Sequence, residues 1–255
     1  MSQNKINIFY HIFLYDKINL IVTDQLKRLI DSDLIYNSNL NITILDNFNK
    51  KYELDDFNVS LLKKISNNIF YETEKYYEII TLKKMYDHAN LNDSNYLYMH
   101  TKGSTRINDE NKSNVEFMNK FVNYSYKNVE NWRHIMEYFN IDHWKICNDN
   151  LQNYDLIGCN YMKKDYLPGI PGHYSGNMWW SKSDFLKKLP DPQNYLFGQL
   201  DFNRFNAEFW IGRIKHHALC LFPLPEEMEK HNRCYVYTDK QEYFNKITKN
   251  EYMNE

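Results

Sequence analysis

The sequence has few of the residues that build disulfide scaffolds, thiolate metal sites or flexible tracts. It contains 4 Cys, 7 Gly and 6 Pro among 255 residues. The four cysteines do not form a C-x-x-C pair, so neither a zinc site nor a redox pair is indicated. Scattered thiols in a chain of this size are typical of a reducing compartment, and we therefore expect a cytoplasmic protein.

The chain also lacks a large net charge and a long apolar run. Lys and Arg number 31 against 33 Asp and Glu, which gives a formal net charge of −2. This balance argues against a nucleic-acid-binding protein that works through a basic field. No stretch approaches about 18 uninterrupted apolar residues, so we expect no membrane span. The first residues lead straight into a strand-like run, without the layout of a signal peptide.

Several nucleotide, catalytic and metal motifs are missing as well. The sequence has no G-x-G-x-x-G, no G-x-x-x-x-G-K-[ST] and no G-x-S-x-G. His216 and His217 are adjacent and do not share a helix face, so they do not indicate a metal pair. Asp201-Phe-Asn203 and Asn148-Asp-Asn150 offer oxygen ligands, but such loops are common and usually only solvated. We predict no metal ligands, and leave Mn²⁺ or Mg²⁺ dependence open.

What the chain does contain is a strand-helix-strand opening. Lys5–Leu14 is rich in Ile, Phe and Tyr and predicts a buried strand. Helical spacing of Leu20, Ile21, Leu26, Leu29 and Ile30 predicts a helix, for which Asp16 is the candidate N-cap. A second strand is predicted over Asn41–Leu45. A βαβ unit of this length is typical of a parallel sheet.

The remaining pattern alternates further helices and strands. Helices are predicted over Asp55–Asn67, Tyr76–Ala89, Glu116–Phe139, Ser183–Leu189 and Asp201–Ile214. Strands are predicted over Tyr96–Met99, Asp155–Gly158 and Asn177–Trp180, with a Gly/Pro-rich loop over Leu167–Gly176. No repeat or linker divides the chain, so we predict one α/β domain over residues 1–255. Its nucleotide-binding half would span about 1–110 and its acceptor and catalytic half about 111–225, followed by a peripheral tail over 226–255.

The end of the Tyr96–Met99 strand carries the most informative polar group. His100, Thr101, Lys102 and Gly103 follow it, which places an imidazole, a hydroxyl, an ammonium group and a permissive backbone together. Ligands of open α/β sheets bind outside the carboxyl ends of the strands, and this set suits a diphosphate. The alternative is a plain polar turn, because turns favour the same residue types.

Three short segments together resemble GT-A-fold glycosyltransferases, and more narrowly a group of bacterial and viral sugar transferases. They are His100-Thr-Lys-Gly103, Ser175-Gly-Asn-Met-Trp-Trp180 and Ala207-Glu-Phe-Trp-Ile211, and the resemblance runs in order over about residues 5–215. It implies a GT-A-like, Rossmann-related, mostly parallel sheet flanked by helices. In the wider fold the central strand ends in a metal-binding Asp-x-Asp. Here that position reads Met99-His-Thr-Lys102, which leaves metal dependence open and makes His100 and Lys102 candidates for neutralising the diphosphate through cationic side chains.

The resemblance also implies roles for individual residues. Glu208 matches the acidic residue that serves as general base in inverting members of the fold. Residues expected at the donor are Tyr10, His11, Asp46, Thr81, Lys84, His100, Thr101, Lys102 and Gly103. Residues expected at the sugar or acceptor are His173, Ser175, Gly176, Asn177, Trp179, Trp180 and Arg204. Neighbours on a strand point to opposite faces, so at most one of the two tryptophans is expected to meet sugar.

These inferences predict an inverting, nucleotide-sugar-dependent glycosyltransferase. Its partners would be a nucleotide-sugar donor and an oligosaccharide or glycan acceptor, in surface or viral polysaccharide biosynthesis. One alternative is a non-catalytic GT-A-like module that binds glycan or nucleotide, which the missing Asp-x-Asp would equally fit. A nucleotidyltransferase is a weaker alternative, because it needs clustered metal-binding carboxylates that the sequence does not show.

Overall fold

The computed structural model describes residues 5–46, 51–73, 77–102, 126–164, 169–194, 205–223, 247 and 249–254. The helices are α1 Ile18–Asp31, α2 Asp56–Ile65, α3 Ile79–Leu91, α4 Tyr126–Glu137, α5 Trp144–Asn150, α6 Ser183–Leu186 and α7 Phe205–Phe209. The strands are β1 Ile6–Phe13, β2 Ser38–Leu45, β3 Asn68–Glu72, β4 Asn95–His100, β5 Leu156–Gly158, β6 Tyr161–Met162, β7 His173–Tyr174, β8 Trp179–Lys182, β9 His216–Cys220 and β10 Asn250–Asn254. Within the described ranges, no helix has both the length and the apolar character needed to cross a membrane.

Eight of the strands form one sheet in the order β10-β9-β5-β8-β4-β1-β2-β3. β1 pairs in parallel with β2 and β4, β2 with β3, and β5 with β9. β8 runs antiparallel between β4 and β5, and β10 is antiparallel to β9. The predicted class, an α/β fold with a mostly parallel sheet flanked by helices, is confirmed. β6 and β7 form a separate two-stranded ribbon.

The central strands β1, β2 and β4 are buried on both faces of the sheet, which explains their nearly continuous apolar runs. Successive residues of β1 enter different cores: Ile8 and Tyr10 pack with α1 and α4, whereas Phe9 packs with α3. β8 divides in the same way, with Trp180 in the first core and Trp179 in the second. This alternation follows from the pleat of a strand and fixes which side chains can meet at the sheet edge.

Parallel pairing brings three strand ends to the same edge of the sheet. His11 of β1 lies opposite His100 of β4, and Phe13 lies opposite Leu45, the last residue of β2. Asp46 follows directly. The strand ends at His11, Asp46 and His100 therefore converge, and they form the edge at which open α/β sheets bind ligands.

The start of α1 differs from the prediction. Lys17 holds the N-cap position in a left-handed conformation, with φ 54°, and makes no side-chain cap. Asp16 Oδ1 instead accepts a hydrogen bond from the backbone N–H of Lys17, at 2.9 Å. Asp16 is therefore corrected from a helix cap to a residue that stabilises the turn before the helix. Asp55, in contrast, does cap α2, because its Oδ1 accepts from the N–H of Asn58 at 2.8 Å.

Other boundaries also shift. β2 begins at Ser38, three residues before the predicted start, and β3, β6, β7, β9 and β10 were not predicted as strands. The predicted helix over Glu116–Phe139 is described from Tyr126 and passes into a π-helical turn, Tyr138–Asp142. The predicted helix over Asp201–Ile214 is described from Phe205 and ends in a 3-10 turn, Trp210–Arg213. β10 lies in the predicted tail and forms an edge of the main sheet.

Candidate functional site

Gly176 joins three segments of the chain at the carboxyl edge of β4. Its carbonyl oxygen accepts a hydrogen bond from His100 Nε2 at 2.7 Å. Its N–H donates to Glu208 Oε1, also at 2.7 Å. The end of β4, the turn before β8 and helix α7 are thus held together through the backbone of one residue.

Only glycine fits at this position. Gly176 has φ +96°, which side-chain-bearing residues rarely adopt. A Cβ built there would collide with Met136 Sδ and lie 2.9 Å from Trp132 Cζ2, both on α4. Asn177 follows with φ 54°, so two successive residues have a left-handed backbone. This turn lets the peptide present its carbonyl to His100 and its N–H to Glu208.

Glu78 lies beside this junction and was not singled out from the sequence. It immediately precedes α3, and its side chain turns toward the end of β4. Its Oε2 accepts hydrogen bonds from Asn177 Nδ2 at 2.6 Å and from the Tyr98 hydroxyl at 3.1 Å. Its Oε1 lies 3.2 Å from His100 Nδ1. The one sequence signal that could have identified it is an acidic residue directly before the apolar stripe of α3.

Burial of the Glu78 carboxylate disfavours its charged form, but the surrounding charges outweigh that effect. The charge and hydrogen bond of His100, with His11 and Lys102 nearby, hold the pKa of Glu78 well below its usual range. A carboxylate that is charged at neutral pH and accepts three hydrogen bonds is a fixed part of the framework. Burial and the same carboxylate raise the pKa of the Tyr98 hydroxyl.

His11 lies on the same face of the sheet and is neutral at physiological pH. It is 2% exposed, and its Nδ1 hydrogen-bonds with Thr81 Oγ1 at 2.8 Å. Burial lowers the pKa of His11 from 6.5 to about 4, although Glu78 acts in the opposite direction. The neighbouring His100 contributes to the lowering.

The low pKa of His11 predicts a pH-dependent loss of stability. The unfolded chain binds this proton near pH 6.5, whereas the folded protein binds it only near pH 4. The stabilisation is therefore complete above pH 6.5 and is lost as the pH falls toward 4, by about 3 kcal/mol at most. His11→Asn keeps a partner for Thr81 and should remove this dependence. Urea unfolding of both proteins between pH 7 and pH 4 measures it; parallel curves would show that His11 does not titrate as described.

Lys102 is the basic residue at this edge that the sequence predicted. Its Nζ lies 4.5 Å from the centre of the Trp132 ring, and the side chain is half-buried. The contact is a cation–π interaction, which orients the ammonium group. His173 lies nearby with 5% exposure, and its Nδ1 donates to the carbonyl oxygen of Pro171 at 2.8 Å. Burial lowers the pKa of His173, against the opposing effect of Glu208.

A second polar network lies on the opposite face of the sheet. The Tyr10 hydroxyl donates to Gln25 Oε1 at 2.5 Å, and Gln25 Nε2 donates to the carbonyl oxygen of His100 at 3.1 Å. Gln25 also donates to Glu137 at 2.8 Å, and Glu137 in turn accepts from Arg133 at 2.9 Å. The backbone of His100 is therefore held from the α1 and α4 side, while its ring is held from the α3 side.

This network contains the one set of three potential metal ligands found among the described residues, namely Asp24, His134 and Glu137. Arg133 Nη1 lies 2.9 Å from both Asp24 Oδ2 and Glu137 Oε1. Its guanidinium group already supplies the positive charge that these carboxylates require, and the set is accordingly an ion-pair network. Burial on its own lowers the pKa of Arg133, but the charges and hydrogen bonds of Glu137 and Asp24 outweigh it, so the pKa is raised and the guanidinium stays charged.

Several predicted donor residues are corrected by their positions. Tyr10 is completely buried on the α1 side, so it does not offer a face to a nucleotide base. Thr81 is also completely buried and bonds to His11, whose ring is likewise enclosed. Thr101 Oγ1 accepts from the N–H of Phe13 at 3.0 Å and has 4% exposure, so the hydroxyl stabilises the end of β1.

His100 and Lys84 are engaged by other protein groups. Both ring nitrogens of His100 face protein acceptors, which corrects the expectation that this ring binds the diphosphate. Lys84 Nζ pairs with Glu72 Oε1 at 2.8 Å and lies over the Phe70 ring at the β3 end of the sheet. Its charge is therefore matched within the protein.

The predicted sugar-binding side chains before and in β8 are corrected too. Trp179 and Trp180 both have 0% exposure. The Trp180 indole N–H donates to the Asn140 carbonyl oxygen at 2.9 Å, and the Trp179 N–H donates to Asn177 Oδ1 at 2.8 Å. Asn177 Nδ2 donates to Glu78, so the Asn177 side chain belongs to the junction. The two tryptophans belong to the two cores. None of these three side chains is placed to contact sugar.

The roles assigned to Asp46, Ser175, Gly103 and Arg204 stay predictions. Asp46 is half-buried at the end of β2, and Ser175 is buried in the turn, where its N–H donates to the Asn160 carbonyl oxygen at 2.9 Å. Gly103 and Arg204 lie outside the described residues.

Comparisons with known proteins give a family and distant structural likenesses. One solved structure comes from Desulfovibrio desulfuricans G20 and is provisionally described as a nucleotide-diphospho-sugar transferase. Its match covers 88% of this chain and 81% of the chain in that structure. The two share 12% identity with a TM-score of 0.40, a likeness too distant to bear on function. A search of curated protein sequences found no match. The family described as a domain of unknown function, DUF8361, matches residues 9–227, and the chain therefore belongs to the DUF8361 family.

Proposed function

We propose that the protein is a glycosyltransferase that moves a sugar from a nucleotide-sugar donor to a saccharide acceptor in glycan synthesis, with inversion at the anomeric carbon. One observation carries the proposal. The three segments that resemble sugar transferases lie far apart in sequence, yet Gly176 of the second hydrogen-bonds to His100 of the first and to Glu208 of the third. They meet at the edge where β1 and β4 end, which is where a GT-A-like sheet would bind its donor.

Lys102 is the residue we assign to the diphosphate. His100 is enclosed between Gly176 and Glu78, whereas Lys102 follows the strand end and is half-buried over Trp132. A fixed ammonium group in a partly desolvated position stabilises the charge that develops on a departing diphosphate. Asp46, at the end of the neighbouring β2, is the residue we assign to the base or ribose.

A divalent metal does not fit the described residues at this edge. Glu78 accepts hydrogen bonds from two donors and lies beside His100, while one oxygen of Glu208 is taken by Gly176. The described residues form only one group of three ligand atoms within 4.8 Å of one another, and it lies on the opposite face. We therefore derive no step through a metal.

Glu208 is the residue we assign as general base. The Gly176 N–H fixes Oε1, and Oε2 is then the oxygen that accepts the proton of the acceptor hydroxyl. That hydroxyl oxygen forms the new bond to the anomeric carbon as the bond to the diphosphate breaks on the opposite side. The nucleoside diphosphate leaves with the bonding electrons, and the proton passes from Glu208 to solvent.

Binding of nucleoside diphosphates tests the donor assignment. We expect binding to persist in EDTA and Lys102→Ala to weaken it by about 1.5–3 kcal/mol, the range for a hydrogen bond to a charged group. Lys83→Ala is the matched control, because Lys83 lies on α3 and pairs with Asp87 and Asp191. Calorimetric titration with UDP, GDP, CDP and ADP measures both effects. Binding that requires Mn²⁺ would contradict the assignment of Lys102 as the main counter-charge.

Turnover separates the enzyme from a binding module. Release of nucleoside diphosphate from nucleotide-sugars, followed by chromatography with a panel of oligosaccharide acceptors, should identify the donor. Absence of release across the panel, together with retained binding of glycan or nucleotide, would favour the non-catalytic alternative.

A further inference from the structure

Glu78 occupies a position from which it controls the geometry of the junction. It precedes α3, and its backbone carbonyl accepts from the N–H groups of Thr81 and Leu82, both at 3.1 Å. Its side chain makes no hydrogen bond to the helix start and turns instead toward His100. The carboxylate therefore connects the start of α3 to the end of β4 and to the turn before β8.

The His100 ring lies between two groups that only accept hydrogen bonds. The Gly176 carbonyl oxygen, 2.7 Å from Nε2, requires a proton on that nitrogen. The Glu78 carboxylate, 3.2 Å from Nδ1, favours a proton on the other, because its Oε2 is already occupied by Asn177 and Tyr98. A ring that donates at both nitrogens is an imidazolium, whose bond to the carbonyl is charge-assisted and stronger than that of a neutral ring.

We propose that Glu78 is the positioning residue of this site: it holds His100 as an imidazolium, which locks Gly176 and thereby the Gly176 N–H that orients Glu208. Its effect on turnover rests on the proposed function, whereas its effect on Gly176 does not. The chain of contacts runs from Glu78 to His100, from His100 to the Gly176 carbonyl, and from the Gly176 N–H to Glu208. Because a shift of about 1 Å in a catalytic group can cost about 10²-fold in rate, this chain matters for catalysis.

Among the described residues, charged and titratable groups face this junction from several elements: His11 on β1, Tyr98 on β4, Lys102 after β4, His173 on β7 and Glu208 on α7. Tyr98 stacks on the His100 ring with centroids 6.2 Å apart. His11 is neutral at physiological pH and Lys102 is cationic, so Glu78 is the anion that balances the imidazolium directly.

Nuclear magnetic resonance of the full chain without ligand tests the positioning directly. At pH 7 we expect directly bonded protons on both His100 ring nitrogens in the wild type and on one only in Glu78→Gln. Hydrogen exchange at the Gly176 amide should become about tenfold faster in Glu78→Gln, which corresponds to the loss of about one hydrogen bond. Glu78→Asp keeps the charge and should retain both ring protons. Unchanged ring protons and unchanged Gly176 exchange in Glu78→Gln would overturn the proposal.

Kinetics then tests the consequence for catalysis. We expect Glu78→Gln to lower kcat by about 10–10²-fold with little change in KM, since it displaces a group needed in the transition state. Asp87→Asn is the matched control, because Asp87 is an exposed carboxylate on the same helix that pairs with Lys83. A rise in KM at constant kcat would overturn the link to Glu208. A wild type without turnover would refute the proposed function, while the amide exchange would still decide whether Glu78 holds Gly176.

Discussion

Glu208→Gln should lower kcat by about 10²–10⁴-fold, the usual contribution of a positioned general base. Glutamine keeps the length and shape of the side chain, and its amide oxygen can still accept the Gly176 N–H that Glu208 accepts at 2.7 Å. The fold and the junction should therefore be retained, while the ability to take a proton is lost. Donor affinity should change little, because the base acts in the transition state and hardly in the ground state.

Steady-state turnover and calorimetric donor binding measure the two effects of Glu208→Gln separately. Asp184→Asn is the control, since Asp184 is an exposed carboxylate in the first turn of α6. Its kcat should equal that of the wild type. Equal turnover by wild type and Glu208→Gln would assign Glu208 a structural role in holding Gly176, and the base would then have to be another residue.

Gly176→Ala should destabilise the protein by about 2–6 kcal/mol. Two costs add up. The backbone of an alanine is strained at φ +96°, and its methyl group collides with Met136 Sδ and Trp132 in a packed core. Left-handed strain costs about 1–3 kcal/mol and overpacking about the same. If the variant folds, movement of the turn should also loosen its bonds to His100 and Glu208, so turnover should fall with stability.

Gly169→Ala separates the two costs of Gly176→Ala. Gly169 also has a positive φ, +80°, but a Cβ there would meet nothing within 4 Å. Gly169→Ala should therefore show only the cost of backbone strain, about 1–3 kcal/mol. Urea unfolding of both variants provides the comparison. Equal losses would mean that α4 yields to the methyl group and that the close packing around Gly176 is dispensable.

Sequence patterns predicted five of the eight strands of the main sheet, namely β1, β2, β4, β5 and β8, because these are apolar segments bounded by helices or turns. β1, β4 and α3 follow from these patterns directly. β3 escaped prediction because it is a short strand at the sheet edge, and its exposed Phe70 and Tyr71 break the expected burial. β9 and β10 were not predicted because their pairing with other strands defines them, and their own sequences show no local periodicity.

The candidate site was predictable in its location but less so in its side chains. Strand position indicated His100, and the resemblance to sugar transferases indicated Gly176 and Glu208, but neither predicted the hydrogen bonds that join them. Tyr10 and Trp180 were assigned to ligands because aromatic rings stack on bases and sugars. Their complete burial follows from which face of a strand each occupies, and that depends on helices distant in sequence. Glu78 was missed because its partners are brought together only by tertiary structure.

The direction of β8 has a consequence for how the site tolerates change. Because β8 runs against β4, its beginning lies where β4 ends, so the turn at Gly176 enters the sheet at the edge where His100 leaves it. The pairing of Tyr98 with Trp179 therefore sets the distance between His100 and Gly176. A slip of one residue would move the turn by about 3.3 Å and exchange Trp179 and Trp180 between the two cores. The burial of Trp179 and Trp180 in opposite cores therefore fixes the strand register on which the junction depends.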